Sequence, residues 1–431
     1  MMTEVSTTHH LLLICTVGGT PEPVIASIRH WQPTRVLFLH SPGTRVVIDQ
    51  ITAAAGALPP DAWDCLQVDD EQDLITCVRG FRRSEDRVRE WLARGAEYQV
   101  AVDFTGGTKC MSAAAVLVAR RWNAVFSYIG GRERTKGGVG IVVSGRESAI
   151  YTRNPWDALG YQAIEDAGLL FDEFAFVPAT RLLQEARKSA SDDGVKRTLS
   201  TLHLVCEGYG LWDRFQHKDA LNRLEGAGKN IADVSMAFGA TRADALASQF
   251  RRDVVALRGL IDHPRSRAML IDLVANAGRR LAEGRFDDGV ARLYRAIEFL
   301  AQLELTEHHG IVSTASVPMN QVPEPLRERW TPRETGTGLA LGLQDAYVLL
   351  KALGNPIGQL FHTLGLADPQ KSPLVDRNHS ILAHGFKPVP ERTFEQLWEA
   401  TLALARLQEA DLPRFPRLSV AAPLESPRTR R

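Results

Sequence analysis

The chain has 431 residues, 44% hydrophobic and 24% charged, which is the make-up of a globular protein of two or three domains and excludes a disordered or fibrous one. Lys plus Arg and Asp plus Glu both total 51, so no global field marks a nucleic-acid binder and any polyanion site must be local. The five cysteines form no CxxC pair, which argues against a zinc site or a disulfide framework and fits a cytoplasmic protein, while the apolar run Leu11 to Val17 is too short to span a membrane.

Strands and helices alternate over residues 1–155. Strands are expected at Leu11–Val17, Arg35–His40, Asp64–Val68, Gln99–Asp103 and Ala124–Ile129, and helices at Pro21–His30, Thr44–Ala55, Asp73–Gly95 and Thr108–Trp122. That order predicts βαβ units and a doubly wound, mainly parallel sheet, a Rossmann-like α/β domain. The glycine-rich stretch Gly130–Asn154, with Ile141-Val142-Val143, predicts a hairpin added to one sheet edge. Its Arg132, Arg134 and Lys136 either reach a polyanion or serve the surface. Residues 156–270 are rich in Leu, Ala, Arg and Glu and predict an all-α middle region. An all-α C-terminal domain over 271–412 follows, with helices at Ala275–Glu283, Phe286–Leu305, Ala340–Leu353, Pro356–Leu364, Pro373–His384 and Glu391–Gln408. The tail, 413–431, carries Pro416, Pro423 and Pro427 and ends in Arg430-Arg431, so partial disorder is expected there.

Two glycine-bearing strand ends stand out in the front domain. One is Thr16-Val17-Gly18-Gly19-Thr20; the other is Asp103-Phe104-Thr105-Gly106-Gly107-Thr108-Lys109-Cys110-Met111, which opens a helix. In a doubly wound sheet both loops lie at the carboxyl edge, where ligands bind. Glycines let backbone approach an anion, a helix N-terminus offers unpaired N–H groups, threonine hydroxyls donate and Lys109 adds a mobile charge. Neither loop is GxGxxG or GxxxxGK[ST], which disfavours a standard dinucleotide fold and a P-loop NTPase. The residues therefore read as a phosphate or nucleotide site lined by Gly18, Gly19, Thr20, Thr105, Gly106, Gly107, Thr108 and Lys109, the alternative being two tight turns. Ser41, after the second strand, either touches that ligand or caps a helix.

The second constellation is Ser372-Pro373-Leu374-Val375-Asp376-Arg377-Asn378-His379-Ser380-Ile381-Leu382-Ala383-His384-Gly385. Ser372 reads as an N-cap, Pro373 as the first helical residue, Gly385 as a left-handed cap and Pro388 as a stop. On one continuous helix Arg377 and His384 would share a face, about 10 Å apart along the axis. A His at a helix C-terminus is favoured as imidazolium and suits proton transfer near neutral pH. Arg377 would stabilise a crowded anionic transition state and Asn378 would hold a phosphate oxygen or orient the His. This chemistry requires no metal; its natural reaction is attack of an RNA 2′-hydroxyl on its own phosphodiester. The alternative is a surface Arg and a satisfied cap His. His379 lies on another face, and Glu298, in the helix Arg292–Leu300, is a candidate partner for Arg377.

The strand-end DxTGGTKxM segment resembles CARF domains (CRISPR-associated Rossmann folds), and Arg377-Asn378 followed by His384 resembles the RxxxxxxH variant of the HEPN ribonuclease motif. The chain as a whole is similar to the CARF–HEPN ribonucleases that accompany type III CRISPR systems. The resemblance implies a homodimer that binds cyclic oligoadenylate across its CARF domains through the two glycine loops, switching on a composite HEPN site made of Arg377, Asn378 and His384 from both protomers. It implies an antiviral endoribonuclease that cleaves single-stranded RNA to 2′,3′-cyclic phosphate and 5′-hydroxyl ends, needs no catalytic cofactor and forms no stable complex with the CRISPR effector. Its rivals are a nucleotide sensor with an inactive helical domain, and a metabolic α/β enzyme, against which the missing dinucleotide fingerprint counts.

Overall fold

The front strands carry apolar residues at successive positions, as strands covered on both faces must. The computed structural model describes residues 10–54, 56, 58–92, 98–120, 122–131, 148–155, 160–190, 192–335, 338–382 and 385–419. Strands β1 (His10–Val17), β2 (Arg35–His40), β3 (Trp63–Gln67), β4 (Tyr98–Asp103), β5 (Ala124–Gly130) and β6 (Ser148–Arg153) form a six-stranded sheet in the order β3-β2-β1-β4-β5-β6. The pairings among β1 to β5 are parallel, and β6 runs antiparallel to β5. Helices α1 (Glu22–Trp31), α2 (Arg45–Ala54), α3 (Leu74–Leu92) and α4 (Lys109–Ala119) connect them.

Side-chain alternation builds two apolar layers. Leu13, Cys15, Val17 and Phe38 pack with Val24, Ile28 and Ile48 of α1 and α2. Leu12, Ile14, Leu39 and Val102 pack with Phe81, Trp91 and Met111 of α3 and α4. The sheet is thus doubly wound, and its order reverses between β1 and β4, whose carboxyl ends lie side by side. The edge expected to hold a hairpin holds β6, while Arg132, Arg134, Lys136 and Ile141-Val142-Val143 lie outside the described residues.

The chain divides into two units, Met1–Gln162 with Ala186–Lys196 and Ala163–Glu185 with Arg197–Arg431. After the sheet the described residues are helical: α5 (Tyr161–Asp172), α6 (Phe176–Ser189), α7 (Asp193–Asp213), α8 (His217–Gly228), α9 (Ala240–Asp262), α10 (Arg267–Ala282), α11 (Phe286–His309), α12 (Glu324–Trp330), α13 (Leu343–Ala352), α14 (Pro356–Thr363), α15 (Pro373–Asn378) and α16 (Glu391–Ala405). Among the described residues no helix is long and apolar enough to cross a membrane. The core of the second unit gathers Leu293, Ile297 and Leu300 of α11 with Tyr347, Phe361, Phe394 and Leu397. Tyr347 stacks on Phe361 at 3.9 Å, and its buried hydroxyl donates to the Ile297 carbonyl at 2.8 Å.

The first residues of the tail are anchored. Phe415 sits 4.8 Å from the Tyr209 ring and 5.4 Å from the Trp212 ring, with the Arg279 guanidinium 4.1 Å from its centroid. Asp172 accepts the Leu418 N–H at 2.7 Å. One aromatic anchor and one carboxylate thus outweigh a proline-rich composition as far as Ser419; residues 420–431 lie outside the described ones.

A buried charge cluster joins α7 to α10. Asp213 accepts the Arg279 Nε–H at 2.7 Å and the Asn276 amide at 2.8 Å, and pairs with Arg280. All four residues are at most 6% exposed. Replacing the carboxylate strands the buried Arg279 and leaves Arg280 with Glu283 alone, so Asp213→Ala is expected to lose about 3–5 kcal/mol of stability. Chemical denaturation monitored by Trp212 fluorescence measures this; a loss below about 1 kcal/mol, the size of an exposed pair, contradicts it.

Candidate functional site

At the switch in strand order, the loops after β1 and β4 lie backbone against backbone. The Thr16 hydroxyl donates to the Gly106 carbonyl at 2.7 Å. A methyl group on Gly106 would lie 2.2 Å from the Thr16 carbonyl oxygen, and one on Gly18 would lie 2.7 Å from the Gly107 nitrogen. Gly107 takes φ +79°, in the left-handed region. Three of the four glycines therefore clasp one loop to the other. A methyl on Gly19, by contrast, would meet nothing within 4 Å.

Two of the three expected threonine hydroxyls, those of Thr105 and Thr108, are committed within the protein. Thr105 Oγ1 accepts the Ile129 N–H at 2.7 Å, and its side chain also bonds Asp103. Thr108 caps α4 by accepting the Met111 N–H at 3.2 Å, and donates to the Glu71 carbonyl. Asp103 organises the loop: its carboxylate accepts Thr105 N–H at 3.0 Å and the Ser27 hydroxyl at 2.8 Å. Burial pushes its carboxyl up, against the hydrogen bonds from Thr105, Ser27 and Ser127. Ser41 is buried, and its N–H donates to Thr44 Oγ1 at 3.0 Å in a short helical turn. Gly19, Thr20 and Lys109 are the expected ligand residues that face solvent, Gly19 and Thr20 after β1 and Lys109 on the first turn of α4. Solvent-facing backbone, a hydroxyl and an ammonium at a helix N-terminus can bind phosphate oxygens.

The second constellation departs from one long helix. Ser372 caps α15 by accepting the Leu374 N–H at 3.2 Å, but the helix ends at Asn378. Beyond it the chain closes on itself: Gly385 N–H donates to the Ser380 carbonyl at 3.1 Å, and Lys387 N–H to the His379 carbonyl at 3.2 Å. Gly385 is not among the glycines with positive φ, so it makes no left-handed cap. Its lack of a side chain serves close approach instead, since a methyl there would lie 2.0 Å from the His379 carbonyl oxygen. Arg377 and the chain toward His384 therefore do not share a continuous helix, and His384 itself lies outside the described residues.

Arg377 is half-buried with its guanidinium 4.4 Å from the centroid of the Tyr294 ring, on α11. Its Nη1 donates to Asn378 Oδ1 at 3.3 Å, and its Nε is shielded from solvent without an acceptor among the described residues. Burial and the Glu298 carboxylate push the Tyr294 phenol up, while Arg377 pulls it down. Glu298, a candidate partner for Arg377, pairs with Arg295 at 2.9 Å. Asp376 is likewise engaged, accepting the Thr393 hydroxyl of α16 at 2.6 Å. His379 is exposed, as expected. Tyr294 was not legible as a site residue, because an aromatic on an amphipathic helix reads as core. Beside Arg377 the turn presents Ile381, Leu382 and Phe386, at 65%, 50% and 92% exposure, to solvent.

Residues 261–408 match the family model described as the Csm6 HEPN domain. Among solved structures, Enterococcus italicus Csm6 bound to cyclic hexa-2'-fluoro-hexa-dAMP aligns over 93% of this chain and 96% of its own, with TM-score 0.50 and 12% identity. Can2 from Sulfobacillus thermosulfidooxidans in complex with cyclic tetra-adenylate aligns over 48% of this chain and 68% of its own, with TM-score 0.24 and 14% identity. No curated protein sequence matches.

Because Gly106 rests on the Thr16 carbonyl, Gly106→Ala must part the two loops and is expected to cost about 1–3 kcal/mol, with Gly19→Ala near neutral. Thermal unfolding of the two variants checks this. Equal melting temperatures would show that the loops are not clasped.

Proposed function

With a Csm6-type HEPN domain at residues 261–408 following a doubly wound sheet, the chain belongs to the CARF–HEPN family, and we propose that it is a metal-independent endoribonuclease switched on by cyclic oligoadenylate. The observation that carries this reading is the state of Arg377: half-buried, supported by an aromatic ring, and without a carboxylate partner among the described residues. A guanidinium so held keeps its charge and its donors for an anion.

In this reading two protomers bring their Arg377 and His384 to one composite site. The exposed Ile381, Leu382 and Phe386 support it, since an apolar patch next to a charged group suits burial against a second copy. One imidazole takes the proton of an RNA 2′-hydroxyl. The freed oxygen attacks the adjacent phosphorus, and the bond from phosphorus to the 5′-oxygen breaks. The second imidazole, protonated, gives that oxygen its proton. The products are a 2′,3′-cyclic phosphate and a 5′-hydroxyl. Arg377 neutralises the charge that builds on the phosphorane oxygens, and Asn378 orients the phosphate.

At the front, the ring ligand's phosphates meet Gly19, Thr20 and Lys109, with the clasped Gly18, Gly106 and Gly107, the bridging Thr105, the capping Thr108, and Ser41 shaping the edge behind them. The Enterococcus protein's bound cyclic adenylate analogue supports a ligand of this class. Switching requires that the ligand bind one dimer arrangement better than another, and activation is bounded by that difference.

Arg377→Ala and His384→Ala are each expected to lower RNA cleavage by about 100-fold or more with ligand binding unchanged, and the wild-type rate is expected to rise on adding cyclic oligoadenylate. A fluorogenic RNA assay measures both; full activity in His384→Ala, or equal rates with and without ligand, would remove the site or the switch. Phe386→Asp is expected to shift the protein toward monomer in light scattering and to lose activity with it. An active monomer would rule out the composite site.

A further inference from the structure

At the far end of α11 from Tyr294, about 15 Å along the helix axis, a separate cavity of about 550 Å³ opens where four helix ends meet. It is lined by Glu304, His308 and His309 from α11, Arg267 from the start of α10, Asn355 to Ile357 from the start of α14, and Leu404 to Arg406 from the end of α16.

Its charges do not cancel. Two guanidiniums, Arg267 and Arg406, share the lining with a single carboxylate, Glu304, and that carboxylate is already engaged. The Asn355 amide, 6% exposed, donates to Glu304 at 3.1 Å and lies 3.4 Å from His309 Nε2. His308 Nε2 lies 3.7 Å from the same carboxylate. Arg267 is fixed at the rim by donating to the Ala405 carbonyl. Arg406 takes φ +50° as the left-handed cap of α16, which sets its exposed side chain at the end of that helix. Pro356, exposed, adds an apolar edge. The volume lies in the range of small-molecule sites, which pair an apolar surface with a few placed polar groups.

We infer that this cavity binds a phosphate-bearing nucleotide: the phosphate on Arg406, Arg267 and His308, the base against Pro356. The same chemistry describes a free mononucleotide and the phosphorylated end of an RNA strand. The inference does not depend on RNA cleavage at Arg377.

Isothermal titration of the full chain tests it with three probes: uridine monophosphate, inorganic phosphate, and a non-cleavable 2′-deoxy trinucleotide bearing a 3′-phosphate. Saturating cyclic oligoadenylate is present throughout to occupy the front loops. The comparison variant is Arg406→Gly with His308→Ala: glycine suits the left-handed φ, and His308 is exposed, so the fold is kept, which an unchanged melting temperature verifies. The expected result is that uridine monophosphate and the trinucleotide bind more tightly than phosphate alone, and that the variant weakens both by about tenfold or more. Tighter binding of the trinucleotide identifies an RNA end as the ligand; tighter binding of the monophosphate identifies the free nucleotide. Absence of nucleotide binding, phosphate binding as tightly as either nucleotide, or equal affinity in the variant would overturn the inference.

Discussion

An arginine without a carboxylate partner among the described residues is the constraint on which the back half of this protein turns. Arg377 keeps an open charge because its neighbours are engaged elsewhere: Glu298 with Arg295, Asp376 with Thr393. What holds it instead is a ring, Tyr294, which attracts the guanidinium face while leaving its edge donors usable. A carboxylate in that place would lower the cost of burial but would also consume the charge. The contrast with Asp213 is instructive, since there Asp213 and Glu283 together neutralise the buried Arg279 and Arg280, which tie helices together.

The front half applies a different economy of groups. Its glycines act mainly on one another: Gly106 on Thr16, Gly18 on Gly107. Its threonines close hydrogen bonds to β5 and to the chain before α3. In the proposed function, the solvent-facing members of this clasped edge, Gly19, Thr20 and Lys109, would need little ordering when a ligand arrives, which would favour binding. Rigidity also suits a sensor, because a clasped pair of loops can pass a small displacement to the sheet rather than absorb it.

How much of this the sequence discloses depends on the range of the interactions. The parallel sheet is legible because alternating strands and amphipathic helices are local patterns, and the placing of both loops on one edge follows from it. The mainly helical character of the described residues after β6 is legible for the same reason. The engagement of Thr105 and Thr108 is not, because their partners Ile129 and Glu71 belong to other segments. The end of α15 at Asn378 is missed because Gly385 acts through contact with His379 rather than through a left-handed cap, and composition does not distinguish the two. Phe415 shows the same limit: a proline-rich tail reads as loose until the cage of Tyr209, Trp212 and Arg279 is seen around it.

The central claim is that the HEPN domain cuts RNA through the RNA's own 2′-hydroxyl, with side chains alone as acid, base and charge stabiliser. The most direct measurement is an end-group analysis of a defined single-stranded RNA incubated with the protein, cyclic oligoadenylate and EDTA, beside the same strand carrying one 2′-deoxy nucleotide at the cleaved position. The account predicts 2′,3′-cyclic phosphate and 5′-hydroxyl termini from the first strand and no cut at that position in the second. Cleavage at the deoxy position, or 5′-phosphate ends that vanish in EDTA, would contradict it.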